Sequence, residues 1–252
     1  MSVLVVGATG ATGRLLVEQL LDQGETVRAI ARSTRSLPER LTNDDRLIIS
    51  EASLLDMTDE EMEAQVRGCH AVASCLGHNL SFKGIFGHPR RLVTDSVKRL
   101  CKAIEKTDPA IPVKFILMNT TGNRNRNEDE KITLKHKLVV SMLRRVLPPH
   151  ADNEDAADFL QSHYGASENV VEWSVVRPDA LINEKSTTAY EVFVSPIRDP
   201  IFDSGKTSRA NVAEFMAKLI VNDNIWKKWQ GKMPVIYNAE SARRQASAPS
   251  MS

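Results

Sequence analysis

The chain has 252 residues, and its 33 Lys and Arg nearly cancel 32 Asp and Glu to a formal net charge of +1. That balance provides no field to draw nucleic acid or an anionic membrane surface, so neither is expected as a partner and a small molecule is. The length suits one α/β domain, taken here as residues 1–240, with a Ser-, Ala- and Arg-rich tail over 241–252 expected to be disordered.

Strand-like and helix-like segments alternate along the chain. Apolar runs at 3–6, 26–31, 47–49, 71–76, 113–118 and 173–176 read as strands. Helical spacing at 15–21, an acidic helix at 57–66 and a long helix at 90–104 fall between them. A βαβ series of this kind implies an α/β fold: a doubly wound parallel sheet with helices on both faces, because each crossover is right-handed and covers one side. The second half is less regular. A helix is expected at 210–221 after the N-cap Ser208, and a late strand at 234–237. Residues 187–205, with Pro196 and Pro200, read as loops and short strands over the site, a small irregular C-terminal substrate region. Residues 124–149 open with a polar loop, and Leu134, Leu138, Val139, Met142, Leu143 and Val146 then recur at helical spacing. This segment is read as a helix packed beside the cleft, the alternative being a membrane-surface or partner-binding helix with Lys135, Lys137, Arg144 and Arg145 on its other faces.

Cys69, Cys75 and Cys101 have no C-x-x-C spacing and fall in apolar stretches, so they read as buried thiols in a reducing compartment, and a cytoplasmic location is expected. The start Met1-Ser2-Val3-Leu4 runs into a strand without the basic and apolar regions of a signal peptide. Histidines and cysteines do not cluster at ligand spacing, so no metal site is expected.

The strongest motif is Val3-Leu4-Val5-Val6-Gly7-Ala8-Thr9-Gly10-Ala11-Thr12-Gly13-Arg14, a G-x-x-G-x-x-G between the first strand and the first helix. Gly7 permits a tight turn, Gly10 lets the backbone approach a pyrophosphate, and Gly13 lets helix and strand pack closely. The helix start then offers N–H groups and a positive dipole end, to which Thr9 and Thr12 can add hydroxyl donors. Chains that bind NAD usually carry an acid at the end of the second strand to hold the ribose 2′-hydroxyl. Here that strand ends in Arg32-Ser33 with Arg35 beyond, which suits the 2′-phosphate of NADP(H).

Together with Val27-Arg28-Ala29-Ile30-Ala31-Arg32 and Trp173-Ser174-Val175-Val176-Arg177-Pro178, the glycine turn makes the chain resemble the atypical short-chain dehydrogenase/reductases, and among them the NmrA-like, NAD(P)H-binding branch. The resemblance spans about residues 2–222 and implies a Rossmann-like fold. It places Leu54 and Leu55 beside the adenine, Cys75-Leu76-Gly77 near the adenosine ribose, Asn119-Thr120-Thr121 near the nicotinamide ribose, and the Pro178 backbone near the carboxamide. Ser53 departs from the acidic residue common at that position.

A larger departure concerns catalysis. The better-known branch of the family uses Tyr-x-x-x-Lys, but none of Tyr164, Tyr190 or Tyr237 has a lysine four residues later. Thr133-x-x-x-Lys137 and His150-x-x-x-Glu154 are the alternatives, and the second is favoured because residues 152–160 look like the family helix before the sixth strand. Thr121 and His150 are therefore the catalytic candidates, and His78, beside Gly77, is a candidate ligand contact. The expected function is an NADPH-dependent oxidoreductase acting on a small carbonyl, quinone, flavin or enone, as a monomer or homodimer. The alternative is an NADP(H)-sensing regulator or binding module without turnover.

Overall fold

The computed structural model describes residues 2–78, 88–123, 125, 148–165, 169–200 and 202–246. Ten strands are found among them: β1 (Ser2–Val6), β2 (Thr26–Ala31), β3 (Leu47–Glu51), β4 (Cys69–Ser74), β5 (Val113–Met118), β6 (Val171–Pro178), β7 (Ala180–Ile182), β8 (Tyr190–Phe193), β9 (Lys206–Ser208) and β10 (Val235–Asn238). The described helices are α1 (Ala11–Asp22), α2 (Glu39–Thr42), α3 (Asp59–Val66), α4 (Leu92–Lys106), α5 (Pro148–His163), α6 (Arg209–Val221), α7 (Asp223–Trp229) and α8 (Ala239–Ala246).

The main sheet runs β3-β2-β1-β4-β5-β6-β10-β8, and β7 pairs with β9 in a separate ribbon. Every neighbouring pair in the main sheet is parallel except the last, β10 with β8. Period-2 alternation explains how apolar strands can be buried on both faces. Val3 and Val5 of β1 pack with Leu16, Leu20 and the α6 residues Phe215 and Met216 on one side. Leu4 and Val6 pack with α3, α4 and α5 through Met62, Leu100 and Leu160 on the other. This is the doubly wound Rossmann-like architecture, and its strand order reverses between β1 and β4, where the crevice of such folds opens.

Several element ends differ from the sequence expectation. The acidic helix starts at Asp59, because Thr58 makes a capping box: its hydroxyl accepts from Glu61 N–H at 3.2 Å and the Glu61 carboxylate accepts from Thr58 N–H at 2.8 Å. β4 stops at Ser74 and not at Leu76; Cys75 N–H still donates to the Val6 carbonyl at 2.9 Å, and the Cys75–Leu76 peptide lies against Gly7. Beyond Ser241, where disorder was expected, Ala239–Ala246 is helical. Arg198 Nη1 donates to the Ser241 carbonyl at 3.0 Å, and Ala242 packs on Tyr237 and Val235, which holds this turn to the sheet edge. The helix α7 has no counterpart in the sequence reading, although Trp226 and Trp229 anchor it in the core. Residues 187–205 do form a short strand, β8, which extends the sheet edge antiparallel to β10. Of residues 124–149, only Asn125, Pro148 and Pro149 lie within the described residues, so the apolar stripe and Thr133-x-x-x-Lys137 lie outside them. No described helix is long and apolar enough to cross a membrane, and no group of metal-ligating side chains occurs among the described residues.

Candidate cofactor and substrate cleft

A cleft of about 560 Å³ opens over the carboxyl ends of β1, β2, β3 and β4, lined by Gly7, Thr9, Gly10, Arg32, Leu54, Leu55, Cys75, Leu76 and Gly77, among others. Gly7 has φ +76°, and a Cβ there would lie 2.6 Å from the Cys75 carbonyl carbon and oxygen. A Cβ on Gly13 would lie 2.2 Å from the Gly7 carbonyl oxygen, whereas one on Gly10 would meet that oxygen at 3.2 Å. Gly7 and Gly13 thus have no substitute without moving backbone. Gly10 caps α1, and its own N–H donates to the Gly7 carbonyl at 3.0 Å. Because a glycine has no side chain with which to cap, the first N–H groups of α1, at Ala11, Thr12 and Gly13, are left for an anion. Thr9 lines the cleft, while Thr12 is buried behind the turn. A pyrophosphate fits this cradle.

At the end of β2 the two arginines divide their tasks. Arg28 Nη1 turns away and donates to the Ala64, Gln65 and Arg67 carbonyls at the end of α3. Arg32 is exposed on the cleft wall. Ser33 accepts from the Arg35 N–H at 3.4 Å, and the Thr34 N–H and hydroxyl both donate to Glu51 at 3.1 and 2.7 Å, so this turn is fixed to the end of β3. Those hydrogen bonds, with the nearby Arg35 charge, hold the Glu51 carboxyl below its ordinary value.

Leu54 and Leu55 lie in the 3₁₀ turn Leu54–Asp56. Sequence reasoning missed what holds that turn: Arg99 of α4 donates to the carbonyls of Leu54 at 3.0 Å and Leu55 at 2.7 Å, and also to that of Met57. A lone arginine on an amphipathic helix gives no sign of this in the sequence. Cys75 is buried in the cleft floor, and burial pushes its thiol up to about 12.

At the ends of β5 and β6, beyond the residues that line that cleft, side chains form a hydrogen-bonded cluster. Asn119 Nδ2 donates to the Asn153 carbonyl at 2.8 Å, and its Oδ1 accepts from Thr120 N–H at 2.9 Å and from Asn123. Thr121 N–H donates to the Pro178 carbonyl at 3.1 Å, and Thr121 Oγ1 donates to Asp179 Oδ1 at 3.1 Å. The other Asp179 oxygen accepts from Gly205 N–H at 2.7 Å. His150, in the first turn of α5, faces this loop, since a Cβ on Gly122 would lie 3.9 Å from its ring. The His150 Nδ1 is buried without a hydrogen-bond partner among the described residues.

His78 is tied to the scaffold. Its Nε2 lies 2.8 Å from Asp152, whose carboxylate also accepts from the Val93 and Thr94 N–H groups at 2.8 and 2.9 Å and so caps α4 from a neighbouring helix. A tyrosine–lysine pair invisible at sequence spacing also exists. Lys218 Nζ donates to the Tyr190 hydroxyl at 3.1 Å, but in a groove between β8, α6 and α7 that shares no lining residue with the cofactor cleft.

Comparison with known proteins agrees with this geometry. A family model described as NAD(P)H-binding matches residues 7–223. No curated protein sequence matches the chain significantly. Among solved structures, the oxidoreductase ylbE from Lactococcus lactis superposes with TM-score 0.65 at 21% identity, covering 98% of this chain and 94% of that one. A short-chain dehydrogenase/reductase from Veillonella parvula in complex with NADP gives 0.69 at 15% identity, covering 95% of each chain. ChuY, an anaerobillin reductase from Escherichia coli O157:H7, gives 0.66 at 15% identity, covering 95% of this chain and 98% of that one. These likenesses concern the fold, whereas the family model spans most of the sequence, from the glycine turn to the start of α7. The chain belongs to the NAD(P)H-binding family.

Proposed function

We infer that this protein is an NADPH-dependent oxidoreductase, of the NmrA-like kind, that reduces a small carbonyl, quinone, flavin or enone. One observation carries the cofactor preference: Arg32 stands on the cleft wall at the end of β2, where a chain selecting NAD presents an acid. A guanidinium there pairs with a 2′-phosphate and leaves a bare ribose hydroxyl unmatched. When bound, the cofactor supplies hydride. The chain supplies orientation through the Gly7–Gly13 cradle, the turn at Leu54 and Leu55 braced by Arg99, and the polar loop at Asn119, Thr120 and Thr121. Thr121 and His150 are the groups assigned to the substrate oxygen, because both stand at the β5 end and neither depends on the Tyr-x-x-x-Lys pair that this chain lacks.

Calorimetric titration with NADPH and NADH, followed by NADPH oxidation against menadione, FMN, an aldehyde and an enone, tests this reading. Tight NADPH binding with turnover of at least one acceptor is the expected outcome. A second reading, an NADP(H)-dependent regulator, is favoured by the extent to which Asn119, Thr121 and Asp179 are already hydrogen-bonded to one another's loops. It predicts equally tight binding with no turnover of any acceptor.

A further inference from the structure

Asp179 stands where β6 ends, and its carboxylate joins three segments that are remote in sequence. Thr121 Oγ1 comes from the β5 loop and Gly205 N–H from the segment before β9. The Tyr237 ring of β10 packs so closely that a Cβ on Gly205 would meet its carbons at 2.6 and 2.9 Å. Asp179 is only 8% exposed and Thr121 5%. A threonine hydroxyl has one proton, so its direction is a matter of bookkeeping at the atom level. With Asp179 ionised, Thr121 gives that proton to Oδ1 and can only accept from anything else it meets. With Asp179 protonated, the carboxylic acid donates to Oγ1, and the Thr121 proton is free to point at a ligand.

We propose that Asp179 is the positioning residue of a proton-directing pair, whose protonation state decides whether Thr121 offers a proton to the oxygen of a bound carbonyl, quinone or enone. The proposal rests on the reductase reading above and names the proton source that reading lacks. With hydride supplied by bound NADPH, Thr121 would give its Oγ1 proton to the substrate oxygen, a new O–H bond forming there as the Thr121 O–H bond breaks. The Asp179 proton replaces the one lost from Oγ1, and solvent later reprotonates the carboxylate, so each turnover consumes one NADPH, one acceptor and one proton.

Burial raises the Asp179 carboxyl above its ordinary value, against the opposing pull of the Gly205 N–H, the Thr121 hydroxyl, the Ala180 N–H and the Arg198 charge. The groups facing it are Arg198 from the loop before β9 and the Tyr237 phenol from β10; Arg177, on its own strand, is directed to the Met233, Asn123 and Val194 carbonyls. The Tyr237 phenol is itself pushed up by burial and by the Asp179 carboxylate, so it stays neutral and leaves the titration to Asp179.

Asp179→Asn copies the hydrogen bonds of the protonated state at every pH, since its amide NH₂ can donate to Thr121 while its oxygen accepts from Gly205, but it has no proton to pass to Oγ1. In ¹³C NMR of the NADP⁺-loaded wild type, the Asp179 carboxyl should titrate above the ordinary carboxylate range, and the Thr121 side-chain signals should move with the same midpoint. In NADPH-dependent reduction of menadione, the wild-type rate should fall as pH rises through that midpoint. Asp179→Asn, which cannot replace the proton that Thr121 gives up, should lose most of kcat together with that limb while keeping its NADPH affinity. Thr121→Val should lose on the order of 100-fold in kcat, and Thr121→Ser should recover most of it. An Asp179 resonance titrating in the ordinary range, a Thr121 signal indifferent to it, or an unaltered pH limb in Asp179→Asn overturns the proposal. If no acceptor is reduced although NADP⁺ binds, the reductase reading fails and the two NMR titrations still decide whether the pair is coupled.

Discussion

At the β1–α1 end of the cleft, Gly7 and Gly13 act through the side chains they lack, and backbone N–H groups and Arg32 face the space. At the β5–β6 end the surface is made by side chains that hold one another: Asn119 on Asn153, Thr121 on Asp179, Asp179 on Gly205. A cradle of backbone recognises what every dinucleotide shares, whereas a cluster of side chains can be re-cut for each substrate.

A glycine in each region gives the sharpest test of that contrast. Gly13→Ala drives a methyl into the Gly7 carbonyl and must distort the turn; we expect more than about 3 kcal/mol of lost stability and a loss of NADPH binding beyond 100-fold. Gly205→Ala presses on the buried Tyr237 ring and parts Gly205 from Asp179; a loss of about 1–3 kcal/mol is expected with NADPH affinity unchanged. Thermal melts and calorimetric titration of both variants check this, and equal losses of affinity would erase the distinction between the two ends.

Arg32→Ala should remove about 1.5–3 kcal/mol of charge-assisted pairing, a ten- to hundredfold weakening of NADPH with NADH nearly unaffected. Equal affinity for both cofactors in the wild type would remove the basis for that preference. Arg99→Met leaves the Leu54, Leu55 and Met57 carbonyls without their donor and should lower the melting temperature by a few degrees while weakening both cofactors alike.

The pH dependence of stability concerns the second region. A carboxyl raised in the folded state contributes stability that is fully present below its unfolded pKa and lost as pH rises through the folded pKa. Asp179→Asn should therefore gain on the wild type as pH rises from acid toward neutral, and a melting-temperature difference that stays constant over that range would speak against a raised carboxyl. The smallest effect is expected at the cysteines. Burial pushes the Cys75 thiol up to about 12 and raises those of Cys69 and Cys101, so none should react with a thiol reagent in the native protein near neutral pH. Rapid labelling of Cys75 in the native state would mean that the cleft floor opens.

Sequence by itself determined the alternation of β1 to β6 with helices, the glycine turn and the arginine at the end of β2. These signals are local: a period, a missing Cβ, or a residue at a fixed offset from a strand, all read from contiguous residues. The tertiary structure alone decided what surrounds Asp179, that Asp152 caps α4, that Arg99 braces the turn at Leu54, and that Tyr190 meets Lys218 outside the cofactor cleft. Each of these links joins residues 26 to 59 positions apart. Nothing in the intervening sequence marks the pairing, because chain folding, and not local propensity, brings the donor to its acceptor.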